Sequence, residues 1–412
     1  MIQIRNGQPI WGIIALLCVD SLYFFSTPFI REQAYNFFFR SHVVSVILLL
    51  PAVCVFVYFP SLISVSNCSC QTYMHKRATL PYILTCAAVY GFDCLFRAVK
   101  TRIATASIRP IPELDVTRVE IPRINAGWHA GQHVRLRVLT FQMGWFGWAE
   151  THPFTIASVS RGGPDGMVLL CKRAGDWTRE LYAMAQAGNK QGDGAKIKVV
   201  VEGPYGGPGH TIYSSFSAVV LISGGSGITY SLSVLEDLVL KDLNNESRVK
   251  SIHLVWSIPD PTGLAPLLHT LSSLVRKSAH TPIHISVFYT AAPTKKQPPI
   301  ITQALLSNTN PPSSPTLNGD SRAPTPVANG LPLGVTLTAG RPNFREIFNE
   351  AIQITMSMEF GSKGHEPITG MVVGVCGPLK MADDVSKAVS SIDPVRRDEV
   401  GGVEICEEVF GW

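Results

Sequence analysis

The chain has 412 residues, of which 46% are hydrophobic and 16% charged, and its formal net charge is +5. That length holds two or three domains, and the charged fraction lies well below the usual value of about 25%. No run of Lys or Arg exceeds two residues, which argues against a nucleic-acid partner, and the nine cysteines form no metal framework.

The charge deficit is concentrated in residues 10–30, 42–63 and 80–96, interrupted only by Asp20 and Asp93. About 20 apolar residues cross a bilayer, so these windows are predicted as three transmembrane helices within a membrane region spanning 1–101. Arg31, Arg40, Arg97, Lys100 and Arg102 flank one side, against Arg5, Lys76 and Arg77 on the other. The positive-inside rule then places everything after Lys100 in the cytosol. His42 opens the second window, where an imidazole serves either as a haem-iron ligand or as an interfacial residue without metal. Asn67-Cys68-Ser69 is a formal glycosylation sequon in the outer loop.

Residues 102–115, with Pro110 and Pro112, read as a short exit segment unsuited to helix. Alternating runs follow at 116–121, 131–138, 154–158, 167–172 and 197–201. Val134, Leu136 and Val138 fall on one face and Arg135 and Arg137 on the other, the period of a half-wet strand. Short strands at this spacing predict a small antiparallel barrel over 102–212. Within it, His152-Pro153-Phe154-Thr155 reads either as a buried strand opened by proline or as a flavin seat, with an aromatic face at Phe154 and a hydroxyl and backbone NH at Thr155. Gly175-Asp176-Trp177-Thr178 precedes a helix-like run, so its free NH groups suit a pyrophosphate; an Asp176 N-cap is the plainer alternative.

From Ser217 the rhythm changes. An unbroken apolar strand meets Gly224-Gly225-Ser226-Gly227-Ile228-Thr229 and then a helix, the arrangement that lets backbone NH groups approach a dinucleotide. Further strand–helix units reach Cys376-Gly377-Pro378, predicting a doubly wound sheet over 213–412. Eight of the 29 prolines fall in 291–330, which reads as a disordered insertion.

In this order, Gly131-Gln132-His133, His152-Pro153-Phe154-Thr155, Gly175-Asp176-Trp177-Thr178, Gly203-Pro204-Tyr205-Gly206, Gly224 to Thr229 and Cys376-Gly377-Pro378 resemble fungal ferric/cupric metalloreductases and, more distantly, NADPH oxidases. The resemblance implies membrane helices plus a ferredoxin-reductase-like cytosolic part, an antiparallel FAD barrel followed by a doubly wound NADPH domain. It implies FAD on His152, Pro153, Phe154 and Thr155, with its pyrophosphate at Gly175, Trp177 and Thr178. It implies NADPH at Gly203, Gly206, Gly224, Gly225, Ser226, Gly227, Thr229, Gly377 and Pro378, with Arg341 toward a 2′-phosphate. Thr155, Cys376 and the terminal Trp412 would serve the transfer itself, Phe410 or Trp412 stacking on the flavin. Relatives also carry haem b between paired histidines. His42 matches one ligand, but Val55 and Phe56 stand where its partner is expected, and the chain opens near what would be the fourth helix, as an N-terminally truncated member.

The implied activity is membrane-bound, NADPH-dependent reduction of Fe(III) or Cu(II) chelates at the plasma or vacuolar membrane. Superoxide production is one alternative. An electron-dead flavin-binding subunit that partners a complete reductase is another.

Overall fold

The computed structural model describes residues 7–63, 70–143, 147–189, 194–291, 331–358, 363 and 366–409. The Asn67 sequon, nearly all of the proline-rich insertion, and Phe410 and Trp412 lie outside the described residues. Two compact units meet in sequence at Phe96 and Arg97.

The N-terminal unit contains α1 (Gly7–Phe25), α2 (Pro28–Gln33), α3 (Tyr35–Ile63) and most of α4 (Cys70–Lys100). The first predicted window is broken, because Ser26 and Thr27 leave the helix and Pro28 opens α2, a position where proline fits and beyond which the previous helix does not continue. Among the described residues, no helix is long and apolar enough to cross a membrane. The three expected windows, 10–30, 42–63 and 80–96, are nonetheless helical almost throughout. Helices α1 and α3 pack through small side chains: Cys18, Ser45 and Ala52 are buried, and Ser45 Oγ donates to Ser21 Oγ at 2.9 Å. Ile13, Leu16, Leu17, Ile47 and Leu50 are exposed.

The second unit begins with β1 (Thr101–Ile111), β2 (Val116–Ile121), β3 (His133–Val138), β4 (His152–Thr155), β5 (Met167–Lys172), α5 (Asp176–Asn189) and β6 (Ala195–Tyr205). The strands form an antiparallel sheet in the order β4-β3-β6-β1-β2-β5, and the Ile156–Leu169 bridge draws its two edges together into a nearly closed barrel. The supposed exit segment is thus a central strand. Its inward residues Ala104, Ala106 and Ile108 are mostly small, so the sequence shows little period-two contrast there. Trp177, Leu181 and Ala185 of α5 enter the same core as Ile108, Leu136 and Val199.

Beyond the barrel come β7 (Ala218–Gly224), α6 (Ile228–Leu243), β8 (Ser251–Ile258), α7 (Ala265–Lys277), β9 (Ile283–Tyr289) and β10 (Val335–Ala339). Then follow α8 (Phe344–Ser357), β11 (Met371–Gly377), α9 (Leu379–Ser390), α10 (Pro394–Glu399) and β12 (Val403–Val409). All six strands are parallel, in the order β10-β9-β8-β7-β11-β12. One core lies under α6 and α7 and a second under α8 and α9, so the sheet is doubly wound as predicted. The edge strands β10 and β12 extend the predicted set.

Candidate functional site at the barrel edge and the glycine turn

The barrel half of the site is built on β4, an edge strand hydrogen-bonded to β3 alone over His152 to Thr155. An edge leaves one row of backbone NH and CO groups without a strand partner, and such a row suits the polar rim of a planar heterocycle. Thr155 is buried at the end of the row. His152 is held by Glu150, its Nε2 lying 3.2 Å from Glu150 Oε2, and its ring centroid is 4.5 Å from that of Trp177. Phe154 stacks on Trp177 at 6.0 Å, with 27° between the ring planes. Trp177 is fixed in turn by its Nε1, which donates to Gly147 O at 3.1 Å. Three aromatic rings therefore set the shape of the seat, and one of them comes from the motif predicted to hold phosphate.

At that second motif, Thr178 acts differently from expectation. Its Oγ1 accepts from Ala174 N and Gly175 N, each at 2.9 Å. Asp176 is the first residue of α5 and pairs with Arg179 at 3.0 Å, so it is not the N-cap. Thr178 orders the turn, while the space where Gly175 would carry a Cβ is open. The residues present fit FAD through an aromatic platform, an unpaired strand edge and an open helix start.

The nucleotide half lies at the carboxyl ends of β7 and β11, neighbours at the point where the strand order reverses. Open α/β sheets bind ligands in such a crevice. Gly224, Gly225, Ser226 and Gly227 turn β7 into α6, and a Cβ on Gly227 would stand 2.1 Å from Cys376 O. A Cβ on Gly224 would stand 2.8 Å from Pro378 Cδ, and one on Gly377 2.4 Å from Met381 Cε. Gly225 adopts φ +55° with nothing within 4 Å of a built Cβ, a cradle open to a ligand's phosphates. Trp256 Nε1 donates to Gly225 O at 2.9 Å and Thr229 Oγ1 to Ser226 O at 3.1 Å, which stiffens the turn. Gly340 and Arg341 follow the carboxyl end of β10, on the same edge of the sheet two strands beyond β8. Arg341 is exposed there.

Gly203 and Gly206 belong to the barrel side: Gly203 lies in β6, and a Cβ on Gly206 would be 2.9 Å from the His133 ring. Gln132 explains the Gly131-Gln132-His133 motif. Its Oε1 accepts from His129 N at 2.8 Å, its Nε2 donates to Gly206 O at 3.2 Å, and its carbonyl accepts from Ile156 N at 2.9 Å. The loop after β6 then meets β12, where Thr211 Oγ1 donates to Glu404 Oε1 at 2.5 Å. On the same strand Glu408 faces Cys376, its registered partner on β11. Burial first, then the Glu408 charge, pushes the Cys376 thiol up to about 12, and burial raises Glu408 as well.

Sequence reasoning missed Glu408, because an acidic pair in a chain end carries no signal until the sheet register sets one member beside Cys376. It also missed Tyr230. This buried ring would be 2.7 Å from a Cβ on Gly131, and its hydroxyl lies 2.8 Å from Tyr213 OH and 3.6 Å from Cys406 Sγ.

His42 stands apart from these groups. Ser26 Oγ lies 3.3 Å from its Nδ1, and no group of three metal-ligating side chains occurs among the described residues. It is the sole histidine of α1 to α3, and α4 carries His75.

Residues 99–209 match the family model described as "FAD-binding domain", and residues 216–390 match "Ferric reductase NAD binding domain". The Saccharomyces cerevisiae protein "Ferric reductase transmembrane component 6" is 26% identical over 94% of this chain, which spans 48% of that relative's length. Human "Dual oxidase 2" is 27% identical over 60% of this chain and 15% of its own length. A solved ferredoxin NADP+ reductase from Neisseria gonorrhoeae with bound FAD and NADP is matched over 75% of this chain and 98% of its own, at 14% identity and a TM-score of 0.45, too loose a likeness to argue from. With two such domains in tandem over well more than half its length, the chain belongs to the ferric reductase/NADPH oxidase superfamily.

Proposed function

We propose that this chain is the dehydrogenase portion of a membrane-bound reductase that draws on NADPH through FAD and delivers electrons to Fe(III) or Cu(II) chelates. The observation that carries the reading is the Thr211–Glu404 hydrogen bond, which ties the loop after β6 to β12, the strand registered beside Cys376 on β11. The residues His152, Phe154, Thr155 and Trp177 would hold and orient FAD. Bound there, FAD supplies the conversion of a two-electron hydride donor into one-electron delivery, which suits metal acceptors. The glycine turn would seat the dinucleotide phosphates, Arg341 would favour a 2′-phosphate over a bare ribose, and the neutral Cys376 thiol would pack beside the nicotinamide without adding charge. The close packing of Gly224, Gly227 and Gly377 excludes water from the floor of the crevice.

Membrane attachment is supported by the relative's printed name and by the inside-out character of α1 and α3. Their buried contacts are small and their large apolar side chains point outward, the reverse of a helix pair in water and the usual pattern in lipid. The barrel and the parallel sheet would lie on the cytosolic side.

The test is an absorption spectrum of the purified chain with NADPH-dependent Fe(III) and superoxide assays on its membranes. Flavin bands that bleach with NADPH, coupled to Fe(III) reduction, are expected. The His152→Ala, Thr155→Ala double variant should lose its colour. A colourless wild-type chain that ignores NADPH would overturn the proposal.

A further inference from the structure

Antiparallel barrel strands alternate between core and outside, and registered partners lie on the same face. On the outside of β3, β6 and β1 this produces three rows. Leu139 lies beside Lys198 and Thr105, Arg137 beside Val200 and Ile103, and Arg135 beside Glu202 and Thr101. Lys196 beside Ser107 and Arg109 beyond it continue the same face. Arg109, Arg135, Lys196 and Lys198 are exposed, and Arg137 is half-buried. None of these five cations has a carboxylate partner among the described residues. Glu202, the acid on these rows, already accepts from Tyr205 OH at 2.8 Å. Lys100 adds a further cation, with Nζ 5.2 Å from the centre of the Tyr205 ring.

Ile103 and Leu139 stand outward on these rows, and Phe141 and Trp148 are exposed in the segment between β3 and β4. Phe141 is 90% exposed, Ile103 66%, Trp148 43% and Leu139 37%. Phe141 is not a loose loop tip, since Met143, two residues on in the same short turn, is buried in the barrel core. Trp148 follows Gly147, whose carbonyl receives the Trp177 Nε1 hydrogen bond. Scattered exposed apolar residues need no explanation. Exposed aromatics in the segment leading out of β3, together with a field of Lys and Arg without carboxylate partners, have the composition of a membrane-interface surface.

We propose that this outer face of the barrel docks on anionic lipid headgroups. The inference rests on the membrane reading above and adds the face, the lipid charge and the anchoring residues. Strand β1 begins at the residue after α4 ends, so the cationic rows start within a few residues of that helix. The β4 seat is hydrogen-bonded to β3, and docking therefore holds it one strand away from the headgroups.

The test reconstitutes the full chain in nanodiscs of phosphatidylcholine alone or with about 30% phosphatidylserine and follows acetylation of lysines by mass spectrometry. Lys196 and Lys198 should react several-fold more slowly in the anionic discs, and the protection should fade at about 0.5 M salt, where the screening length drops to roughly 4 Å. Phe141→Ser, at an exposed position, should weaken the protection while leaving flavin content unchanged. Equal reactivity in neutral and anionic discs would overturn the docking while leaving membrane attachment intact. A chain that fails to incorporate into discs of either kind would overturn the membrane reading itself. Protection that appears only on adding a soluble acidic protein would assign the face to that class of partner and overturn the lipid proposal.

Discussion

Gly227 shows how one missing side chain sets the site. The helix after β7 can start only if its first turn passes within contact of the Cys376 carbonyl, and a Cβ at Gly227 would stand 2.1 Å from that oxygen. Both partners are backbone, so neither can swing aside, and overpacking of this kind costs about 3 kcal/mol or more. Gly227→Ala should lower unfolding stability by that amount in urea titration and abolish nucleotide-driven flavin bleaching, with barrel-bound FAD retained. Gly225 differs, because its positive φ is the constraint and the space around it is free. Both glycines were legible in the sequence as a turn between strand and helix. Which of them guards a backbone contact and which faces open space depends on β11, almost 150 residues later.

The paired strands β8 and β9 carry a pH sensitivity that no motif announces. His253 is buried, its Nε2 lies 2.9 Å from Ser286 Oγ, and its Nδ1 has no partner. Burial first, and then the neighbouring His284, lower its pKa to about 4. Above the ordinary value near 6.5 the imidazole is neutral whether folded or not, and stability is complete. As pH falls from there toward 4, the unfolded chain takes up a proton that the folded chain refuses, so stability is lost across that window, by about 3 kcal/mol at most. Denaturant midpoints measured between pH 7 and pH 4 should fall accordingly, and His253→Gln should flatten the dependence. A slope unchanged in that variant would assign the loss to other groups. Strand β1 teaches a complementary lesson. Its inward alanines hid it among proline-bounded residues, whereas β2 and β5 were visible because Val, Ile and Leu mark their inner faces.

Between barrel and parallel sheet, Gly131 N donates to Ser233 Oγ of α6 at 3.0 Å, and Thr211 Oγ1 donates to Glu404 Oε1 of β12 at 2.5 Å. Removing the Ser233 acceptor leaves the buried Gly131 NH unsatisfied at roughly 1–3 kcal/mol. It should also loosen the alignment of the two half-sites. Ser233→Ala should keep full FAD content but slow NADPH-driven flavin reduction about tenfold in stopped-flow; an unchanged rate would show that the Gly131–Ser233 bond only stabilises. The sequence by itself determined the two-domain plan, the glycine turn and the aromatic strand β4, because hydrophobic period and turn chemistry are local properties of the chain. Only the tertiary structure decided that Glu408 faces Cys376, that Tyr230 meets Gly131, and that Thr178 rather than Asp176 orders the turn before α5. Those contacts depend on strand register and on distances between residues far apart in sequence, and no window of residues encodes them.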